Sequence, residues 1–133
     1  MTYHYFCPTC MTELNPRGDV VLTGAKGKKR GLVLLNPEPG NYQAYVAKAL
    51  GLKNGDIVDF CCPVCQKPLK AAASKNLVKL SFKSDQGEEG FVTFSRVYGE
   101  HATYFLENGK VRSFGENAAL YGDLNFFGEG DRD

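Results

Sequence analysis

All five cysteines of the chain fall in two short runs, "YFCPTCMTEL" at residues 5–14 and "DFCCPVCQKPL" at residues 59–69. Each run contains Cys-Pro-x-Cys. Aligning the two pairs Cys7 with Cys62, Pro8 with Pro63, Cys10 with Cys65 and Leu14 with Leu69. Tyr5 then stands opposite Phe60, and Phe6 opposite Cys61. A Cys-x2-Cys turn points two sulfurs at one ion, and amide N–H groups inside the turn stabilise the thiolates. Two such turns supply four sulfurs, the tetrahedral donor set that Zn2+ accepts without geometric cost. The expected ligands are Cys7, Cys10, Cys62 and Cys65. Cys61 occupies the position of a phenylalanine in the other run and reads as a packing residue, since a free buried cysteine behaves as a small hydrophobe. A reactive thiol at Cys61 is the competing reading.

The "CPTC" and "CPVC" turns resemble the knuckles of zinc-ribbon and rubredoxin-like proteins, in which each turn caps a β-hairpin. The resemblance covers the knuckles and a few flanking residues. It implies a Zn(Cys)4 site, with iron and electron transfer as the alternative. Those knuckles usually carry glycine in a left-handed conformation just after the second cysteine; here Met11 and Gln66 stand there. Both would have to take positive φ at some cost. A redox or disulfide Cys-x2-Cys pair lacks the βαβ setting in which that chemistry is found. His4, three residues before Cys7, reads as a surface residue and not as a replacement ligand. Four thiolates fill the coordination sphere of zinc, and a closed site is structural, not catalytic.

Three other groupings bear chemistry. "AKGKKRG" (25–31) clusters Lys26, Lys28, Lys29 and Arg30 in a hairpin loop, a candidate phosphate contact or a solubilising loop. "SRVYGEH" (95–101) brings Glu100 and His101 side by side, an acid/base pairing that strand alternation would split between two faces unless the turn breaks it. Tyr98, Tyr104, Phe105 and Phe114 form either a stacking platform or ordinary sheet packing. "ALGLKNGDIVDF" (49–60) bears a faint resemblance to the short helix, Gly-Asp turn and strand of small bacterial β-barrel regulators.

The elements that must position these groups follow from pattern. Residues 20–24 and 30–37 read as two strands around the basic loop. Residues 41–50 place Tyr42, Tyr45, Val46 and Ala49 at helical spacing, with Asn41 as N-cap and Gly51 as stop. Residues 57–60 form a strand feeding the second knuckle, and 69–76 a helical turn or linker. From Leu77 the pattern becomes strands at 77–83, 91–98, 101–106 and 110–114. Glu107-Asn108-Gly109-Lys110 is the signature of a type I′ hairpin. "ALYGDLNFF" (119–127) is apolar enough to dock.

With 43% hydrophobic and 23% charged residues, the chain has the composition of a soluble globular protein and not of a disordered one. It contains no apolar run near the roughly 18 residues a membrane helix needs. A cytoplasmic location is expected, where paired cysteines bind metal more often than they form disulfides. Net charge is +1, which argues against strong attraction to nucleic acid or acidic membrane. Residues 1–75 carry ten basic against five acidic side chains, and residues 76–133 six against ten.

The combined expectation is a β-rich α+β protein. A zinc-ribbon-like unit with a long inter-knuckle insertion (1–75) packs on a four-stranded antiparallel meander (76–120), followed by a partly disordered acidic tail (121–133). The expected role is a non-enzymatic binding or adaptor module. Its expected partner is a protein or, in second place, a nucleic acid through the basic loop, and an exposed sheet edge would allow a homodimer.

Overall fold

A computed structural model describes residues 2–71 and 74–121. The chain forms nine strands there: β1 (Tyr3–Phe6), β2 (Val20–Lys26), β3 (Lys29–Leu35), β4 (Ala44–Val46), β5 (Asp59–Cys61), β6 (Leu77–Ser84), β7 (Glu89–Ser95), β8 (Thr103–Glu107) and β9 (Lys110–Phe114). They make two antiparallel sheets, one in the order β1-β6-β7-β8-β9 and the other β4-β3-β2-β5.

The meander of β6 to β9 arises from local alternation. Val78, Leu80 and Phe82 of β6 face the core, and their register partners on β7 include Phe94 and Val92. The β8–β9 hairpin turns on Asn108 (φ 51) and Gly109 (φ 75), the two positive φ angles a type I′ turn requires. The sheet gains a fifth strand from a distant source, because β1 pairs along β6 from Tyr3↔Ser84 to Phe6↔Ser81.

The inter-knuckle insertion builds the second sheet. The β2–β3 hairpin pairs Val20↔Leu35 through Lys26↔Lys29, with the inward residues Val20, Leu22 and Val33 almost wholly buried. Gly24 and Gly31 are paired on its inner face, where a Cβ on Gly31 would lie 2.7 Å from the Ala47 Cβ. The absence of side chains there lets the segment carrying Ala47 and the fully buried Leu50 lie directly on the sheet.

The helix expected over residues 41–50, and with it the α+β class, is overturned. Ala44–Val46 form strand β4 on the edge of β3, followed by a single 3-10 turn at Lys48–Leu50 that ends on Gly51 in the left-handed region. No α-helix occurs among the described residues, so the fold is all-β, two antiparallel sheets. Pairing explains the outcome: coiling this segment would strip hydrogen bonds from the β3 edge. The Tyr42 hydroxyl is also committed elsewhere, to the Thr103 hydroxyl at 2.9 Å and the Phe114 carbonyl at 3.0 Å. Tyr45, which helical spacing would turn inward with Tyr42, is 60% exposed. Residues 69–71 likewise lie extended, with Ala71 N–H donating to the Leu77 carbonyl and Lys79 N–H to that of Leu69. The acidic tail and most of the apolar segment 119–127 lie outside the described residues.

One core joins the two sheets. Tyr3, Tyr5, Leu14, Val20, Leu22, Leu69, Leu80, Phe82 and Phe105 belong to a single buried cluster that also contains Cys7 and Cys62. A second cluster, with Leu77, Tyr104 and Leu106, lies on the other face of the meander.

Candidate metal centre

Each cysteine pair sits at the tip of a hairpin whose backbone bonding repeats almost atom for atom. In the first, Met11 N–H donates to the Cys7 carbonyl (2.8 Å), Cys7 N–H to that of Thr12 (3.0 Å) and Leu14 N–H to that of Tyr5 (2.7 Å). In the second, Gln66 N–H donates to Cys62 (3.0 Å), Cys62 N–H to Lys67 (3.1 Å) and Leu69 N–H to Phe60 (2.9 Å). Every residue of the first set maps onto its partner in the alignment of the two runs. Met11 (φ 61) and Gln66 (φ 63) both occupy the left-handed region. They reverse the chain as a glycine would, so the departure from glycine leaves the knuckle geometry intact.

The turns direct N–H groups at sulfur. Thr9 N–H lies 3.4 Å from Cys7 Sγ, while Val64 and Cys65 N–H lie 3.3 and 3.4 Å from Cys62 Sγ. The four sulfurs of Cys7, Cys10, Cys62 and Cys65 all lie within 4.8 Å of one another. Across the two hairpins, Cys7 Sγ stands 3.7 Å from Cys65 Sγ, and Cys10 Sγ 3.7 Å from Cys62 Sγ. Metal–sulfur bonds of about 2.3 Å in a tetrahedron put the sulfurs about 3.8 Å apart. The donor set therefore fits a tetrahedral thiophilic ion, a geometry zinc and iron share. All five cysteines are free thiols, and the spacing is far beyond the roughly 2 Å of a disulfide.

The two hairpins differ from ordinary loop clips in what they connect. The first enters through β1, in the meander's sheet, and its exit strand receives Val21 N–H from β2 at the Leu14 carbonyl (2.8 Å). The second enters through β5, in the other sheet, and its exit residues 69–71 bond to β6. Each hairpin thus spans both sheets, in opposite order, and the sulfur cluster sits on the seam. Asn15, buried just beyond the first knuckle, fastens it further: its Nδ2 donates to the Tyr3 carbonyl and its Oδ1 accepts from Tyr5 N–H. Asn15 carries no signal in the sequence, because the burial of its amide depends on a fold that a local pattern does not reveal.

Electrostatics divide the four sulfurs. Cys7 and Cys62 are inaccessible to solvent, and Cys10 is exposed. The Thr12 hydroxyl, 3.1 Å from Cys10 Sγ, and the Thr12 backbone amide hold the Cys10 pKa down to about 6. Burial pushes the Cys62 thiol up to about 11. A bound divalent ion favours the thiolate form of every ligand and displaces its proton.

Cys61 stands apart from the cluster. It pairs with Thr23 on β2 and bridges Pro68, so its side chain takes the opposite face of the strand from the inward Phe60. His4 is also elsewhere engaged, with Nδ1 3.0 Å from Glu13 Oε2. In the basic loop, Lys26 Nζ is tied to Asp56 Oδ2 at 2.7 Å, which leaves Lys28, Lys29 and Arg30 as the exposed cations. Glu100 and His101 lie in the irregular segment between β7 and β8, not on a strand, and both line one cavity between the sheets. Their partners differ: Glu100 Oε1 accepts from the Ser95 hydroxyl (2.8 Å), whereas His101 stacks on Tyr42 and approaches Glu116. The four aromatics do not make a common platform, because Tyr104 and Phe105 are adjacent on β8, buried on opposite faces. No helix among the described residues is long and apolar enough to cross a membrane. Comparison of the chain with protein-family models, with curated proteins and with solved structures returns no match.

Proposed function

We propose that this chain is a small cytoplasmic binding module held together by a structural zinc ion on Cys7, Cys10, Cys62 and Cys65, and that it acts by non-covalent recognition and not by chemistry at the metal. The observation that carries this reading is the placement of four mutually close sulfurs on two hairpins that each span both sheets. A four-thiolate site has no open position for water or substrate. Its effect is to join elements, contributing about 10–16 kcal/mol to the folded state, which is comparable with the whole stability of an ordinary domain.

A protein partner suits the surface best. On the outer face of the second sheet, Leu34 pairs with both Tyr45 and Val21, next to Leu32, and Arg30 extends the same face. Leu32 is 51% exposed. An apolar patch bordered by Arg30 and the neighbouring lysines complements a partner surface of acidic and apolar groups.

Elemental analysis of untagged protein with a visible spectrum tests the reading. One zinc per chain without colour supports it. Iron with thiolate-to-iron absorption would replace the module with an electron carrier, and absence of metal with five titratable thiols would overturn it. Salt-sensitive retardation of random RNA or DNA, lost on changing Lys28, Lys29 and Arg30 to Glu, would exchange the protein partner for a nucleic acid.

A further inference from the structure

Between the two sheets lies a cavity of about 370 Å3 that the metal centre does not use. That volume falls within the range of about 300–1,000 Å3 typical of small-molecule sites. Its walls come from the inner faces of both sheets and include Val33, Val58, Leu80, Val92 and Phe105, each no more than 3% exposed. Its mouth is formed by two irregular segments, residues 36–43 and 96–102. These meet where the Tyr42 and His101 rings stack at 4.3 Å, only 6° from parallel, with Tyr42 fixed by its bonds to Thr103 and Phe114.

The cavity is sharply divided in polarity. The deep walls are aliphatic and aromatic, while the mouth holds Glu38, Arg96, Glu100 and His101. Arg96 supplies a specific feature. Its guanidinium Nη1 is taken by Asp59 at 2.5 Å, but its Nε is buried with no hydrogen-bond partner among the described residues. A buried charged donor without an acceptor is costly. Apolar space of this kind takes up apolar molecules readily.

We propose that this cavity binds a small uncharged amphipathic molecule, its hydrocarbon body between the sheets and a carbonyl or similar acceptor at Arg96 Nε. Charge on the ligand is disfavoured in both signs. The mouth carries both signs, with the Arg96 charge already met by Asp59, and the aliphatic and aromatic walls beyond it offer a charged group no counter-charge.

The test uses the full chain as purified and N-phenyl-1-naphthylamine, an uncharged probe that brightens in apolar surroundings. The expected result is saturable fluorescence, displaced by 2-octanone at lower concentration than by octanoate or octylamine. Val92→Phe, which fills the cavity, should abolish probe binding while metal content and the circular dichroism spectrum are retained. Should that variant not fold, Arg96→Met serves instead, since the Asp59 carboxylate it releases is 63% exposed. It should keep the probe but weaken displacement by the ketone roughly tenfold, the worth of a hydrogen bond from a charged donor. No saturable binding, binding unchanged in a folded Val92→Phe protein, a ketone affinity unchanged in Arg96→Met, or a preference for octanoate or octylamine would each overturn the proposal.

Discussion

Replacing Met11 by glycine should stabilise the protein, although it deletes a side chain. Met11 (φ 61) holds a left-handed backbone conformation, which costs an L-residue about 1–2 kcal/mol. Glycine takes that conformation freely but loses more chain entropy on folding, about 0.5–1 kcal/mol. Met11 is 54% exposed, so little burial is sacrificed. The balance favours glycine by about 0.5–1 kcal/mol, which in a domain of this size raises the thermal midpoint by about 2–5 °C. Gln66→Gly should gain less, because the Gln66 side chain donates to the Pro63 carbonyl at 3.0 Å. Met11→Val supplies the opposite perturbation, a β-branched residue forced to positive φ, and should lower the midpoint. Differential scanning calorimetry of the metal-loaded proteins reads all three. A lower midpoint for Met11→Gly together with no loss for Met11→Val would refute the claim that the turn is strained.

Four further substitutions have defined outcomes. Cys62→Ser should abolish stoichiometric metal binding and Cys61→Ser should leave it intact, as elemental analysis of the two purified variants would show. Tyr5→Phe removes the bond from the buried Tyr5 hydroxyl to the Pro37 carbonyl (2.7 Å) and should cost about 1 kcal/mol at neutral pH. Burial, reinforced by Tyr3, raises the Tyr5 pKa above its ordinary value, so the folded state keeps the phenol proton that the unfolded state gives up. The stability this group contributes is therefore complete below about pH 10 and declines above it; urea titrations from about pH 8 to about pH 11 should show the gap between wild type and Tyr5→Phe narrowing. Gly90→Ala should destabilise by about 1–3 kcal/mol in the same assay, because its Cβ would lie impossibly close to the Leu106 carbonyl oxygen.

The cysteine spacing was legible because knuckle geometry is local: within each run, the residues that make the turn and those that hold it are at most nine positions apart. The same holds for the Asn108-Gly109 hairpin, where two residue types suffice to specify the turn. Residues 41–50 misled for the converse reason. Their helical spacing of Tyr42, Tyr45, Val46 and Ala49 is genuine, but the open edge of β3, supplied by residues at 33–35, outcompetes it. Pairing of β1 with β6 joins residues more than seventy positions apart, and periodicity carries no information about such partners. The cavity was hidden for a related reason. Alternation assigned Glu100 and His101 to opposite faces, yet the chain leaves the strand after Ser95, and both residues then line the same opening.

The length of the spacer between the knuckles decides what the centre does. If residues 11–61 were a simple loop, the ion would clip one loop shut, and its loss would be felt only nearby. They instead build the whole of the second sheet, whose inner residues Val20 and Leu22 share a buried cluster with Leu80, Phe82 and Phe105 of the first. Cys7 and Cys62 belong to that same cluster. Loosening the sulfurs therefore exposes the shared core and releases β1 from β6 and β5 from β2. Metal removal should then melt the two sheets in one transition. Hydrogen exchange after chelation would read this directly: amides of Leu22 and Val33 in one sheet and of Leu80 and Phe105 in the other should lose protection together. Persistence of protection in the β6–β8 strands, with loss confined to the knuckles and the second sheet, would show that the meander stands alone and that the centre organises only the insertion.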